Sequence, residues 1–209
     1  MKVIVFGATG TLGKIVTDQL LAEGHSVTAF ARRTVNVGAT RPGLAVVAGD
    51  ALDADAVADA VRGHDAVVVT LGAGMNRKSV IRSQGTLNII RGMQKHDVQR
   101  LICQSTLGAH ESWGNLNFFW KRIMFGALLR PVFRDHELQE QLVRASGLDW
   151  TIVRPSAFDK APATGSFHEG FAPDERRLTL KIPLADIAAF LARQLDDLQY
   201  LHRAVGISN

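Results

Sequence analysis

Short apolar, β-branched runs alternate with longer amphipathic stretches along almost the whole chain. The runs Val3–Phe6, Val27–Phe30, Ala45–Ala48, Ala66–Leu71, Arg100–Gln104, Trp150–Val153 and Ala204–Ile207 predict strands. Between the first two, Leu12–Glu23 sets Leu12, Val16, Leu20 and Leu21 on one helical face, and Gly24 supplies the stop. Ala54–Val61, Val80–His96, roughly Arg134–Ala145 and Leu184–Leu195 read as further helices. Strands separated by helices form parallel β-α-β units, which close into a doubly wound parallel sheet, an α/β fold of three layers, α/β/α. The strands are apolar on successive positions, as expected where helices cover both faces. Ligands of such sheets bind beyond the carboxyl ends of the strands. Chemistry is therefore expected just after Phe6, Phe30, Ala48, Leu71, Gln104 and Val153. No repeat or low-complexity linker interrupts the pattern, so residues 1–209 read as one domain.

Composition adds exclusions. Of 209 residues, 46% are hydrophobic and 21% charged, enough apolar material for a sizeable core. The net charge of +4 is mild and spread along the chain, with no block of like charges, which argues against nucleic acid as a partner. The single cysteine, Cys103, excludes an intrachain disulfide and predicts a reducing compartment. No apolar run reaches the length of a membrane span, and the start lacks a basic leader followed by a long apolar stretch. A cytoplasmic protein, monomeric or homodimeric, is expected. The histidines are scattered without metal-ligand spacing, so no metal site is expected.

Gly7, Gly10 and Gly13 lie between the first strand and the first helix. A backbone without Cβ turns tightly there, lets a pyrophosphate approach, and presents the amides of the helix start to its charge. Three glycines at this spacing are weak by themselves; inside a strand–turn–helix unit they mark a Rossmann-type dinucleotide site. The end of the second strand then selects the dinucleotide. A carboxylate there would hold the adenine ribose hydroxyls and repel a 2′-phosphate. Here the chain reads Ala31-Arg32-Arg33, and guanidinium groups pair with phosphate, so NADP(H) is expected over NAD(H). Asp50 is placed either to touch the adenine amino group or to cap a turn.

The segment GATGTLG, with GD after the third strand, DAVVVTLG through the fourth and SGLDWTIVRPS late in the chain, resembles the extended and atypical short-chain dehydrogenase/reductases. Within that superfamily, SQGTLNIIRGMQKHDVQRLICQST and RDHELQEQLVRASGLDWTIVRPS resemble the flavin reductase/biliverdin-IXβ reductase group and its NmrA-like relatives. The resemblance implies that Gly7, Ala8, Thr9, Gly10, Thr11, Leu12 and Gly13 hold the pyrophosphate and that Arg32 meets the 2′-phosphate. A second phosphate-binding arginine of the group falls on Asn36, whose task passes to Arg33. Asp50 and Ala51 match adenine contacts, and Leu71, Gly72 and Ala73 line the central ribose and phosphates. A further arginine of the flavin reductases falls on Gly74. Ser105, Pro155 and Ser156 match residues beside the nicotinamide. Arg77 and Lys78 follow the fourth strand within reach of phosphates or of solvent alone.

Carbonyl-reducing members of the superfamily use a tyrosine and a lysine one helical turn apart, the lysine lowering the tyrosine pKa. By the same resemblance those positions fall on Val132 and His136, while the one tyrosine, Tyr200, lies near the C-terminus. Ordinary alcohol–ketone chemistry is therefore not expected. One reading is hydride transfer to a flat aromatic or conjugated acceptor such as a tetrapyrrole, or to FMN or FAD bound as substrate, catalysed by proximity and stacking. Ser105 and His136 would then orient the nicotinamide or a bound water, with His136 as a proton relay. The other reading is a non-catalytic NADP(H) redox sensor of the NmrA-like type. A third is an epimerase-like or isoflavone-reductase-like activity. The stretch around SWGNLNFFWKRIMFGALLRPVF is longer than in the flavin reductases and gathers Trp113, Phe118, Phe119, Trp120, Phe125 and Phe133 among Lys121, Arg122 and Arg130. It reads as an aromatic wall over the nicotinamide half or as a helix packed on the sheet or a second subunit. The substrate region is expected from 106–135 and 155–180, with Trp113 and Phe158 as substrate contacts and the loop Thr164–Phe171 as further lining; Asp186 reads as a helix cap.

Overall fold

The computed structural model describes residues 1–33, 41–74, 76 and 78–209. Asn36 and Arg77 lie outside the described residues. The chain runs β1 (Lys2–Phe6), α1 (Thr11–Ala22), β2 (Ser26–Ala31), β3 (Leu44–Ala48), α2 (Ala54–Val61), β4 (Ala66–Val69), α3 (Ile81–Lys95), β5 (Arg100–Gln104), α4 (Arg130–Arg144), β6 (Asp149–Pro155), β7 (Ala157–Asp159), β8 (His168–Glu169), β9 (Lys181–Pro183), α5 (Leu184–Arg193) and β10 (Arg203–Ser208). Between β5 and α4 stand a 3-10 helix, His110–Asn115, and a ten-residue π-helix, Phe119–Leu128. The main sheet has the order β3-β2-β1-β4-β5-β6-β10-β8; its pairs are parallel except β10 with β8. β7 and β9 form a separate parallel pair.

The pleat of β1 divides the core. Val3 and Val5 face the layer of α1 and α5, whereas Ile4 and Phe6 face α2, α3 and α4. Each such side chain taken fully from water contributes about 1.5–3 kcal/mol, so the two-sided apolar strands fix the three-layer arrangement. β3 departs from that pattern: it is an edge strand, and Val46 on it stays exposed. β4 ends at Val69, not Leu71; the next residue, Thr70, donates both its amide (2.8 Å) and its hydroxyl (3.1 Å) to the Phe6 carbonyl.

Helix starts are handled differently from one another. Asp53 caps α2 by accepting from the amides of Asp55 and Ala56, both at 3.1 Å. α3 has no cap of its own; Asp135, from α4, accepts from the amides of Arg82 and Ser83 (3.1 Å each) and from the Ser83 hydroxyl (2.5 Å). α4 begins four residues before the expected position, with Pro131 in its first turn. α1 begins at Gly10 with no side-chain cap and no acidic residue in its first turn, which leaves its amides open. Asp186 does not cap α5, whose N-cap is Pro183; it accepts from Thr164 and Gly165 and ties that loop down. Among the described residues no helix is long and apolar enough to cross a membrane.

The β1–α1 turn has no spare room. Gly7 has φ +90°, and a Cβ there would lie 2.5 Å from the Thr70 carbonyl oxygen. A Cβ on Gly13 would lie 2.1 Å from the Gly7 carbonyl oxygen. Gly13→Ala is therefore expected to lower stability by about 1–3 kcal/mol through overpacking. Thermal denaturation of the variant checks this, and an unchanged melting temperature would show that the turn yields without cost.

Candidate functional site

The carboxyl ends of the parallel strands open into a cavity of about 930 Å³. Its wall is assembled from the segments that follow β1, β2, β3, β4, β5 and β6, the positions at which doubly wound sheets bind ligands. At one end lie Gly7, Thr9, Gly10, Thr11 and Leu12, so the uncapped start of α1 faces the cavity. Open amides and the positive end of the helix dipole are what a diphosphate requires. Ala8 and Gly13 lie outside this lining: both are buried, Ala8 in the core beside Leu12 and Val16, Gly13 beneath the turn. Their part is to let the turn close.

After β2, Arg32 lines the cavity and is exposed, free to swing onto a ligand. Arg33 is also exposed but does not line the cavity, so the shared role expected for it is not supported by its position. Asp50 lines the cavity and at the same time accepts from the Leu52 amide (3.0 Å), so both of its expected uses are compatible. Ala51 is held in place by Asn88, whose side-chain amide donates to the Ala51 carbonyl (3.0 Å). Leu71, Gly72 and Ala73 follow β4 along the floor of the cavity, together with Gly74.

Beyond them stand Ser105, His136, Pro155 and Ser156. The Ser105 hydroxyl, fully buried, donates to Glu140 Oε1 (2.6 Å), which commits its hydrogen and leaves it only acceptor capacity toward a ligand. Glu140 is itself fully buried and clasped by Arg154 through Nε (2.9 Å) and Nη2 (2.5 Å). Burial alone would lower the Arg154 pKa, but Glu140 and Glu111 outweigh it and hold the guanidinium above its ordinary value. Removing one member of such a buried pair costs about 3–5 kcal/mol, because the partner's charge is stranded. The pair fixes β5, α4 and β6 relative to one another, and so fixes Ser105. The Ser156 hydroxyl is buried and has no partner among the described residues, an unsatisfied group beside the cavity.

His136 lines the cavity from α4, with Nδ1 3.2 Å from Gln139 Oε1. Gln139 uses its Nε2 to donate to Thr86 (3.0 Å), so its oxygen accepts from His136 Nδ1 and leaves Nε2 of the imidazole for a ligand. Burial, and then the nearby charge of Arg82, push His136 down to about 3. It is neutral throughout the physiological range. Burial and the charge of Arg82 both disfavour the imidazolium that a proton relay would need, and with Nδ1 on Gln139 the ring offers Nε2 as an acceptor.

The remaining chamber is apolar. Leu116, Trp120, Phe125, Leu129, Val132 and Leu180 line it, and Phe158 and Lys160 stand on its exposed side. Leu180 holds φ +58°, an uncommon conformation for a bulky residue that turns it into this cluster. Trp113, expected as a substrate contact, is not part of the lining. The 3-10 helix carries it outward against Phe133 (ring centroids 5.4 Å apart), and Trp120 and Phe125 form the wall instead. The 164–171 loop does not reach the cavity either, since Asp186 and the pairing of β8 with β10 hold it away. Tyr200 is likewise remote, donating to Glu169 (3.2 Å).

The chain matches the NAD(P)H-binding family over residues 7–198. It belongs to that family. Among curated relatives it is similar to the UPF0659 protein YMR090W of Saccharomyces cerevisiae, 27% identical over 93% of this chain and 87% of that protein. Its fold is shared with the ChuY anaerobillin reductase of Escherichia coli O157:H7 (TM-score 0.81, 23% identity, 100% of this chain and 97% of the other). It is shared equally with a short-chain dehydrogenase/reductase of Veillonella parvula solved in complex with NADP (TM-score 0.83, 16% identity, 100% and 94%). The local chemistry fits the family's ligand: a cradle that a Cβ would fill, an uncapped helix start, and an unpartnered buried hydroxyl at the far end.

His136 provides a direct check on the inner site. The unfolded chain takes up a proton near pH 6.5, while the folded chain resists protonation down to about 3. The stability that neutral burial contributes is thus present above 6.5 and is lost as pH falls toward 3. In His136→Gln, part of the drop in melting temperature on acidification should disappear. Identical pH slopes in the two proteins would show that His136 is not held neutral.

Proposed function

We propose that the chain is an NADPH-dependent reductase that passes hydride to a flavin, bound as substrate, or to a similarly conjugated acceptor. One observation carries the reading. The two α4 positions where carbonyl reductases present their proton-donating pair hold Val132 and a neutral His136, both lining the cavity. A ketone needs a proton delivered to its oxygen as hydride arrives; a conjugated ring spreads the charge, and solvent completes the protonation. The apolar aromatic chamber of Trp120, Phe125 and Leu180 suits the face of such a ring, with Phe158 and Lys160 at its open side. Within 106–135 and 155–180, the lining residues Leu116, Trp120, Phe125, Phe158 and Lys160 are assigned to the acceptor, and Ser105, Pro155 and Ser156 to the nicotinamide end. When bound, the nicotinamide supplies the hydride. The chain's own residues position the two rings and exclude water.

Arg32 at the end of β2, without a carboxylate beside it, supports NADP(H) over NAD(H). The NADP complex of the Veillonella protein and the name of the ChuY reductase agree with the reading. A second reading, a non-catalytic NADP(H) sensor, is favoured by the apolar surface of the π-helix, where Phe118 is 74% exposed beside Phe119 and Ile123, as a partner-binding element would be.

One experiment decides between them: loss of the reduced-nicotinamide absorbance on mixing NADPH or NADH with FMN. Steady oxidation with preference for NADPH is expected; NADPH binding without turnover would favour sensing. Arg32→Glu should reduce the NADPH over NADH preference in kcat/KM by about 10–100-fold, the worth of a charge-assisted hydrogen bond. Unchanged selectivity would make Arg32 a bystander.

A further inference from the structure

Arg82 was not among the residues expected from the sequence, yet it lines the cavity from the first turn of α3. Its side chain is 12% exposed, and both Nε and Nη1 are buried with no hydrogen-bond partner among the described residues. Among the described residues the carboxylate paired with it is Asp135, 3.7 Å from Nη1, which also accepts from two backbone amides and a hydroxyl. Nη2 points toward the floor after β4: a Cβ built on Gly72 would lie 4.0 Å from it. Its charge is also felt at His136, the residue after Asp135 on α4, which lines the cavity. A guanidinium stays protonated even where burial lowers its pKa. The other cations in the described lining, Arg32 and Lys160, are exposed.

We propose that Arg82 supplies the fixed positive charge of the inner site and stabilises the negative charge that hydride delivery places on the acceptor. This rests on the reductase reading. In the step, the C–H bond of the dihydronicotinamide breaks and its electron pair forms the new bond to hydrogen on the acceptor. The nicotinamide is oxidised, the acceptor is reduced and gains one negative charge, and a solvent proton later neutralises it. A buried cation that keeps two N–H groups unpartnered among the described residues, with Asp135 3.7 Å away, is preorganised for that charge and needs no reorientation when it forms. The positive charge that carbonyl reductases carry on the α4 lysine has moved, on this account, to the neighbouring helix.

The test uses riboflavin, which has no phosphate, together with FMN. Equilibrium binding of oxidised and chemically reduced riboflavin is measured anaerobically, above neutral pH, for the wild type, Arg82→Gln and Arg82→Lys. The wild type should bind the reduced form about 10–100-fold more tightly than the oxidised form. Arg82→Gln should lose that preference while keeping its affinity for NADPH, and Arg82→Lys should retain most of it. In turnover, Arg82→Gln should lower kcat with riboflavin and leave the KM for NADPH unchanged. A preserved preference in Arg82→Gln, with an active wild type, would overturn the assignment and leave the reductase reading intact. A loss confined to FMN would assign Arg82 to a phosphate group, and a loss of NADPH affinity would assign it to the dinucleotide; both overturn the proposal. A wild type that neither binds nor reduces either flavin would overturn the reductase reading with it.

Discussion

Two carbonyl oxygens leave no space for a methyl group at the junction of β1 and α1. The Thr70 carbonyl oxygen closes on Gly7 and the Gly7 carbonyl oxygen on Gly13. That contact brings the start of α1 directly under the carboxyl ends of β1 and β4 and keeps it there, uncapped, with its amides facing the cavity. The conformation costs what any left-handed residue costs, and only glycine bears it without strain. Every later feature of the site is measured from this point: the cavity runs from the turn, across the ends of β4 and β5, to the chamber under the π-helix.

The far end of the cavity is set by a different kind of force. Buried charges join the strand ladder and the apolar core in holding β5, α4 and β6 together there, with Glu140 between Ser105 and Arg154. Replacing such a pair by apolar residues is often neutral for stability, so its value lies in positioning. Here it directs the Ser105 hydroxyl away from the ligand as a donor, and burial keeps His136 uncharged. Both effects remove proton donors from the inner site. The proposed conjugated acceptor, which would hold its own negative charge, is consistent with that subtraction and with the apolar lining of the chamber.

Much of the fold could be read from the chain because the parallel strands are apolar on both faces, and an apolar run bounded by glycine or a helix is hard to mistake. The parallel three-layer sheet followed from the β-α-β alternation, and the cavity opens at the strand ends, where such sheets bind ligands. What escaped was short or non-periodic. β7, β8 and β9 span two or three residues each, below the length at which a pattern exists. The π-helix has no signature at the helical period, so the sequence shows Trp120 and Phe125 as an aromatic cluster without a direction; Trp113, expected as a substrate contact, packs against Phe133 outside the cavity lining. Arg82 escaped because its setting depends on Asp135, 53 residues away, which faces it at 3.7 Å and also accepts from the first amides of α3. Glu140 and Arg154 pair across a helix and a strand, a relation that no local spacing encodes.

The central claim is that the dinucleotide lies along the strand ends with its pyrophosphate on the β1–α1 turn and its 2′-phosphate at Arg32. A crystal structure of the protein with NADP⁺ tests it most directly. The account predicts phosphate oxygens within hydrogen-bond distance of the Thr11 and Leu12 amides, the 2′-phosphate on the Arg32 guanidinium, and the nicotinamide ring between Ser105, Ser156 and His136. A nucleotide seated in another crevice, with the glycine turn empty, would contradict it.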